Sequence, residues 1–249
     1  MAPLPPMDKD PTLEAMDRAI EARALLEPKR NYLGMSAIGH PCERKLYYDF
    51  RVTTRPAHDA ATLKRFEDGH RGEDLMAARL RLVPGVTLHT IDQNTGKQFG
   101  FEDHGGKFKG HMDGAIVGLL QAPSTYCVWE HKCVNEEKQA KLKKLKASKG
   151  EKDALAAWDE IYYSQAVLYM HYSGMTRHYL TVSTPGERST ISCRTEENPE
   201  AAIRLIEKAR RIIEAPYPLA RISNDPAWYV CKWCDHHAQC HKNEGGSVA

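Results

Sequence analysis

The chain has 249 residues, of which 41% are hydrophobic and 27% charged, and its formal net charge is +2 at pH 7. This length and composition predict a folded protein with a substantial core. The nearly neutral charge excludes a globally basic surface, so any contact with nucleic acid must come from a local patch. No apolar run approaches the ~20 residues of a membrane span, and the N-terminus lacks the apolar core of a signal peptide. We therefore expect a cytoplasmic protein without a membrane partner.

The predicted elements alternate between helices and strands along the chain. Residues 1–35 form a loose Pro-rich N-terminus and a helix, and residues 36–241 form the main domain, with a Cys-rich end at 225–241 and a tail at 242–249. Hydrophobic periodicity predicts helices over 12–27, 59–82, 154–173 and 197–214, and strands over 86–92, 107–119, 125–133, 176–183 and 189–194. This order predicts an α/β core in which helices flank a central mixed β-sheet.

The apolar strand predicted over 125–133 carries an acidic and a basic residue near its end. Side chains alternate between the two faces of a strand, so Glu130 and Lys132 point the same way and His131 points the opposite way. Asp113 lies in the preceding predicted strand, where aspartate is disfavoured. If the two strands are neighbours, Asp113 and Glu130 converge, and two carboxylates repel each other unless a cation lies between them.

Hard oxygen ligands of this kind suit Mg²⁺ or Mn²⁺, and the His131 carbonyl is a further candidate ligand. Such a metal polarises a phosphate oxygen and lowers the pKa of bound water. Lys132 would then orient the water or stabilise the charge that develops on phosphorus, which fits phosphodiester hydrolysis. The alternative is a surface pair of Glu130 and Lys132 with Asp113 in a turn.

Two helical stretches add polar residues to this set. Gly69 lies within a predicted helix, where glycine costs about 1 kcal/mol relative to alanine, which indicates close approach by another group. Glu73 follows one turn later as a third candidate metal ligand, and His70 lies nearby. Gln165 and Tyr169 are four residues apart, so they share a helix face. The alternatives for Glu73 and His70 are a salt-bridged helix surface and a histidine whose hydrogen bonds are satisfied. The alternative for Gln165 is an amide at the helix edge, and that for Tyr169 is a core tyrosine.

The ordered set Gly69-x3-Glu73, Asp113, Glu130-x-Lys132 and Gln165-x3-Tyr169 resembles the PD-(D/E)XK nuclease superfamily, in particular its RecB-type branch. The resemblance implies a restriction-endonuclease-like core. It also implies that Asp113 and Glu130 bind the catalytic metal with help from Glu73, and that Lys132 is the catalytic lysine. Gln165 and Tyr169 would support the site or contact DNA. Many RecB-type members have histidine where Glu73 stands, so His70 is the alternative for that role.

The seven cysteines favour metal ligation over disulfides in a reducing compartment. Cys231, Cys234 and Cys240 form a C-x2-C-x5-C pattern, and Cys42 is the best candidate for a fourth ligand. This arrangement resembles the iron–sulfur exonucleases of CRISPR adaptation, the AddB nuclease domain and related phage nucleases. It implies a [4Fe–4S] cluster that joins the N- and C-terminal segments. A zinc site is the alternative, because His236, His237 and His241 lie among the cysteines.

A lysine-rich stretch follows the strand that carries Glu130. Most such runs are solvated surface, but beside a phosphodiesterase site this one is expected to contact DNA phosphates. The residues expected to bind DNA are Lys138, Lys141, Lys143, Lys144, Arg44 and Lys45.

The sequence therefore predicts a metal-dependent deoxyribonuclease, most readily an exonuclease, that acts on single-stranded DNA or double-stranded ends in recombination, repair or phage DNA processing. The chain has no G-x4-G-K-[ST] motif, so unwinding would need a partner helicase, and a single-strand annealing protein is a second candidate partner. The alternative from another class is a DNA-binding scaffold with structural zinc and an inactive nuclease site. An RNA-processing enzyme stays open as a third.

Overall fold

The structure is a computed structural model that describes residues 10–28, 30–51 and 57–242. Residues 1–9 of the predicted loose N-terminus and 243–249 of the predicted tail lie outside the described residues. The predicted α/β class is confirmed, since helices flank mixed sheets. Among the helices that the structure describes, none has the length and apolar content needed to cross a bilayer.

Helices begin where polar side chains cap their first N–H groups. Asp10 caps α1 (Pro11–Leu26), Asp59 caps α3 (Ala60–Leu80) and Asn198 caps α7 (Pro199–Glu214), each with its side-chain oxygen. The remaining described helices are α2 (Glu43–Arg51), α4 (Glu136–Lys149), α5 (Glu151–Trp158), α6 (Glu160–Ser173), α8 (Tyr229–Lys232) and α9 (His237–Cys240).

The described strands form two sheets. The smaller has the order β1-β4-β3, with β1 at Leu33–Gly34, β3 at Gly100–Asp103 and β4 at Phe108–His111. The larger has the order β2-β5-β6-β7-β8, with β2 at Thr87–His89, β5 at Gly114–Val117, β6 at Cys127–Cys133, β7 at Arg177–Ser183 and β8 at Thr190–Glu196. Within it β6 and β7 run parallel and the other neighbours antiparallel.

Two predicted elements are each divided in the structure. The strand predicted over 107–119 is wrong as a single strand: β4 and β5 belong to different sheets and the chain crosses between them at residues 112–113. The helix predicted over 154–173 breaks at Asp159, whose backbone is extended and whose carboxylate caps α6 through the N–H groups of Ile161 and Tyr162. Capping by the Asp159 carboxylate is therefore favoured over continuation of the helix through this residue.

Strand β6 is central in the larger sheet and is buried on both faces. Trp129 packs with Met76 and Ala77 of α3 on one face. Val128 packs with Val167 and Leu168 of α6 on the other. Because side chains alternate along a strand, Glu130 points to the α6 face and His131 to the α3 face.

Candidate active site

The structure brings Asp113 and Glu130 together where β5 begins. Gly114 pairs with Trp129 across the antiparallel β5–β6 ladder. Asp113, directly before Gly114, therefore lies opposite Glu130, directly after Trp129. The Asp113 N–H donates to Glu130 Oε1 at 3.2 Å, and the His131 N–H donates to Asp113 Oδ2 at 2.9 Å. These reciprocal bonds fix both carboxylates against backbone groups.

Lys132 and Gln165 hold the other oxygen of Glu130. The Lys132 Nζ lies 2.8 Å from Glu130 Oε2, and the Gln165 Nε2 donates to the same oxygen at 3.1 Å. Gln165 Nε2 also lies 3.3 Å from the Tyr169 hydroxyl oxygen, to which it donates. The Q-x3-Y face of α6 therefore points at the carboxylate of β6, and Tyr169 acts on the site through Gln165.

Glu73 reaches the site from α3. It lines an open cavity of 470 Å³ together with Asp113, Gln98 and the exposed His70. The close approach predicted at Gly69 is wrong, since no atom lies within 4 Å of a Cβ built there. Gly72 is the tightly packed position instead, because its added Cβ would lie 2.6 Å from Glu187 Oε1.

Burial and mutual repulsion disfavour the charged forms of these acids. Burial raises the pKa of Glu130 to about 8, and the neighbouring Asp113 adds to the effect. Burial, followed by Asp113, raises the pKa of Glu73 to about 7. Burial lowers the pKa of Lys132, but the carboxylates Glu130 and Asp113 more than reverse this and raise it above its ordinary value. Lys132 is therefore a fixed positive charge.

The donor set has the chemistry of a site for a hard divalent cation. Within residues 10–28, 30–51 and 57–242, no three His, Cys, Asp or Glu side chains stand close enough together to hold a metal ion as they are placed in the structure. Two acids with raised pKa values beside an open cavity nevertheless have the chemistry that a cation relieves, because its charge offsets their repulsion. Glu73, Asp113 and Glu130 would hold Mg²⁺ or Mn²⁺, with the His131 carbonyl as the predicted fourth ligand.

We expect the metal-free protein to lose stability as the pH rises from about 5 to 8. The folded state keeps protons on Glu130 and Glu73 that the unfolded chain releases near the ordinary carboxyl pKa, so folding binds protons across this window. Urea unfolding at several pH values with a chelator present measures the slope, and Glu130→Gln should flatten it. Saturating Mn²⁺ should also flatten it. A stability that climbs with pH in the metal-free wild type would contradict the assignment.

The four predicted cluster cysteines lie around one cavity. Cys42, Cys231, Cys234 and Cys240 all line it, although Cys42 lies before α2 and the other three lie at the end of the chain. Burial raises the pKa of the Cys231 thiol, and Cys42 and Cys240 raise it further. The fold therefore joins the two distant segments at this cavity, and the raised pKa of Cys231 favours its neutral thiol in the absence of a cation.

N–H groups lie near two of these four sulfur atoms. The Lys45 N–H donates to Cys42 Sγ at 3.4 Å, and Arg44 Nη1 lies 4.0 Å from Cys240 Sγ. N–H groups near sulfur stabilise ligated thiolates, so these two contacts suit cysteines that bind a metal. His237 and His241 line the same cavity, so the zinc alternative keeps its ligands. His236 is instead buried and its Nε2 lies 2.6 Å from Asp49 Oδ1.

The predicted DNA-binding residues divide into two groups. Lys138, Arg44 and Lys45 make contacts inside the protein: the ammonium of Lys138 lies 2.7 Å from Asp159, that of Lys45 lies 2.7 Å from Asp49, and the guanidinium of Arg44 donates to the Leu219 carbonyl. The other three predicted residues, Lys141, Lys143 and Lys144, lie on α4 and are exposed to solvent.

Sequence reasoning missed a buried polar group on the opposite face of β6. Thr181, Ser183 and Glu187 contact the His131 imidazole, with both of its ring nitrogens within 3.0 Å of a hydroxyl. Burial lowers the pKa of His131. The turn-like sequence T-P-G-E at 184–187 was visible, but nothing in it showed that Glu187 folds inwards.

No protein-family model and no curated protein matches the sequence. Among solved structures, the crystal structure of SSO0001 is similar at 13% identity and a TM-score of 0.50, over 92% of this chain and 95% of that chain. An alkaline exonuclease, LHK-Exo, from Laribacter hongkongensis matches at 13% identity and a TM-score of 0.49, over 79% and 90%. A phage-related exonuclease from Haemophilus somnus 129PT matches at 12% identity and 0.46, over 68% and 77%. The likeness to SSO0001 shows a shared fold, and the two lower scores carry no conclusion about this chain.

Proposed function

We propose that this protein is a divalent-metal-dependent deoxyribonuclease of the PD-(D/E)XK type, in its RecB-like form. The observation that carries the proposal is the convergence of Asp113, Glu130 and Lys132 at one point. Their contacts of 2.8 to 3.2 Å, with Glu73 across an open cavity, bring together acids for a metal and a fixed positive charge. This combination supports hydrolysis of a phosphodiester bond.

Each side chain has a defined task in this proposal. A bound Mg²⁺ or Mn²⁺ supplies positive charge at the scissile phosphate and lowers the pKa of a coordinated water. Lys132 stabilises the charge that develops on the phosphate oxygens, since its ammonium is held in place before substrate arrives. Gln165 orients the Glu130 carboxylate and Tyr169 supports Gln165.

The proposed substrate is DNA with a free end, cut in an exonuclease mode during recombination, repair or phage DNA processing. The motif order that resembles RecB-type nucleases supports this choice. A partner helicase or a single-strand annealing protein would prepare such ends. End-labelled single- and double-stranded DNA, incubated with Mn²⁺ or with a chelator, tests the proposal. Metal-dependent release of short products is expected, and intact DNA under both conditions would refute it.

We also propose that Cys42, Cys231, Cys234 and Cys240 hold a [4Fe–4S] cluster. The shared cavity and the N–H groups near Cys42 and Cys240 support this. The cluster would fasten the end of the chain to the segment before α2 and would take no part in hydrolysis.

We expect three exposed lysines of α4 to contribute salt-sensitive DNA affinity. Replacing Lys141, Lys143 and Lys144 by alanine removes up to three phosphate contacts, so the slope of log affinity against log salt should fall by about 2 to 3. Fluorescence anisotropy with labelled DNA at several salt concentrations measures it. Lys152→Ala, which removes an exposed lysine paired with Glu196 at 2.7 Å, is the control. An unchanged slope in the triple variant would place the DNA elsewhere.

A further inference from the structure

The turn between β7 and β8, residues 184–189, buries one acidic side chain against α3. Glu187 is only 6% exposed although its neighbours Gly186 and Arg188 are exposed. Its φ of +56° lies in the left-handed region, which residues other than glycine seldom adopt. Such backbone conformations persist only where the surroundings hold them in place. The turn is therefore built to hold this carboxylate inside.

The carboxylate lies between two elements that carry candidate metal ligands. Its Oε1 would lie 2.6 Å from a Cβ at Gly72 of α3, so only glycine leaves room for it. The same oxygen lies 3.3 Å from His131 Nε2 of β6. Arg79, also in α3, donates to the Glu187 carbonyl oxygen at 2.8 Å. Glu187 thus contacts helix and strand at once.

Hydrogen bonds connect Glu187 to His131 and from there to the centre of the sheet. Glu187 Oε1 lies within hydrogen-bond distance of the Ser183 hydroxyl and of His131 Nε2, and His131 Nε2 also lies 3.0 Å from the Ser183 hydroxyl oxygen. His131 Nδ1 lies 3.0 Å from the Thr181 hydroxyl oxygen, which accepts the Trp129 indole N–H at 3.0 Å and donates to the Glu130 carbonyl at 3.3 Å. Contacts on both ring nitrogens therefore hold the imidazole of His131 in one orientation.

The residues on either side of these contacts belong to the candidate site. His131 lies between Glu130 and Lys132, and its backbone N–H donates to Asp113 Oδ2 at 2.9 Å. Gly72 directly precedes Glu73. Whatever displaces His131 or Gly72 therefore displaces a carboxylate ligand, and Mg²⁺ tolerates little departure from octahedral geometry.

We propose that Glu187 is a positioning residue of the nuclease site: by holding His131 of β6 and Gly72 of α3 together, it sets the spacing of Glu130 and Glu73 around the metal. This inference rests on the proposed nuclease function. It assigns to the β7–β8 turn an indirect role in metal affinity.

Substitutions at Glu187 test the inference when metal affinity is measured as well as the rate of DNA cleavage. Glu187→Ala should raise the Mn²⁺ concentration for half-maximal cleavage by about 10-fold or more, as removal of a group that orients a ligand does. Glu187→Gln, which keeps an oxygen acceptor of the same shape, should restore most of the affinity. Arg188→Ala, an exposed change in the same turn, is the matched control and should behave as wild type.

A double-mutant cycle with Gly72 separates positioning from general destabilisation. Gly72→Ala should raise the Mn²⁺ requirement in the wild type, because its methyl group would collide with Glu187. In the Glu187→Ala background the same change should add little, since the colliding atoms are gone. Additive effects in this cycle would overturn the inference, as would a lowered melting temperature of Glu187→Ala with an unchanged Mn²⁺ requirement.

Mn²⁺ titrations followed by electron paramagnetic resonance provide a second measurement that does not need activity. If the wild type binds Mn²⁺ without cutting DNA, the proposed function fails while the titrations of Glu187→Ala and Glu187→Gln still decide the inference. A wild type that binds no Mn²⁺ overturns both. If Glu187→Ala does not fold, Gly72→Ala decides: a weaker affinity supports the inference and an equal affinity overturns it.

Discussion

Replacing Lys132 by alanine is expected to lower the rate of metal-dependent DNA cleavage by about 10³-fold, the effect of removing one preorganised stabiliser of transition-state charge. Its ammonium is held 2.8 Å from Glu130 Oε2 and its side chain is only 20% exposed, so water replaces it poorly. Initial rates on end-labelled DNA under saturating Mn²⁺ measure the loss. Lys152→Ala, which replaces an exposed lysine in an ion pair with Glu196, should change the rate little.

Loss of the Lys132 ammonium also leaves Glu130 buried without its ion partner, which can cost stability. Lys132→Gln addresses this, because its amide can still donate to Glu130 while the charge is gone. We expect Lys132→Gln to fold, as judged by its melting temperature, and to stay inactive. Cleavage at the wild-type rate by both variants would exclude Lys132 from the chemistry and remove the main support for the proposed function.

Replacing Cys231 by alanine is expected to abolish the visible iron–sulfur absorption and to lower the melting temperature by about 10 °C or more. The reason is the length of chain that the cluster would close, since cross-linking a loop of ~100 residues stabilises by about 4 to 5 kcal/mol and 1 kcal/mol shifts the midpoint by roughly 2 to 4 °C in a domain of this size. Anaerobic purification, iron and sulfide analysis and thermal scans measure both effects.

Cys127→Ala is the control for the cysteine prediction. Cys127 is also buried, but it lies in β6, donates to the Thr125 carbonyl and lines a different cavity. The Cys127→Ala protein should keep its full complement of iron. Stoichiometric zinc in a colourless wild type would favour the zinc alternative, and full iron in Cys42→Ala would remove that residue from the ligand set.

The sequence predicted the parts of the site that depend on local periodicity. The two-residue spacing of Glu130 and Lys132 placed both on one face of a strand, and the four-residue spacing of Gln165 and Tyr169 placed both on one face of a helix. The structure has both arrangements. The neighbouring position of Asp113 followed only from assuming that its strand pairs with β6, which the β5–β6 ladder supplies.

The parts of the site that depend on long-range packing could not be predicted from local periodicity. Gly69 and Gly72 lie three residues apart in one helix, and only the approach of Glu187 distinguishes them. That approach depends on the parallel register of His131 with Thr181 and on an inward turn after β7. Likewise, Arg44 and Lys45 are basic in sequence, but the fold directs them to Leu219 and Asp49.

The crossing between the two sheets at residues 112–113 ties the candidate site to strand register. Asp113 is the residue at which the chain leaves the small sheet and enters the large one. One residue inserted between Asp113 and Gly114 would turn the acid to the reverse side of the sheet, away from Glu130. The length of this connection therefore determines whether the acids can meet at all.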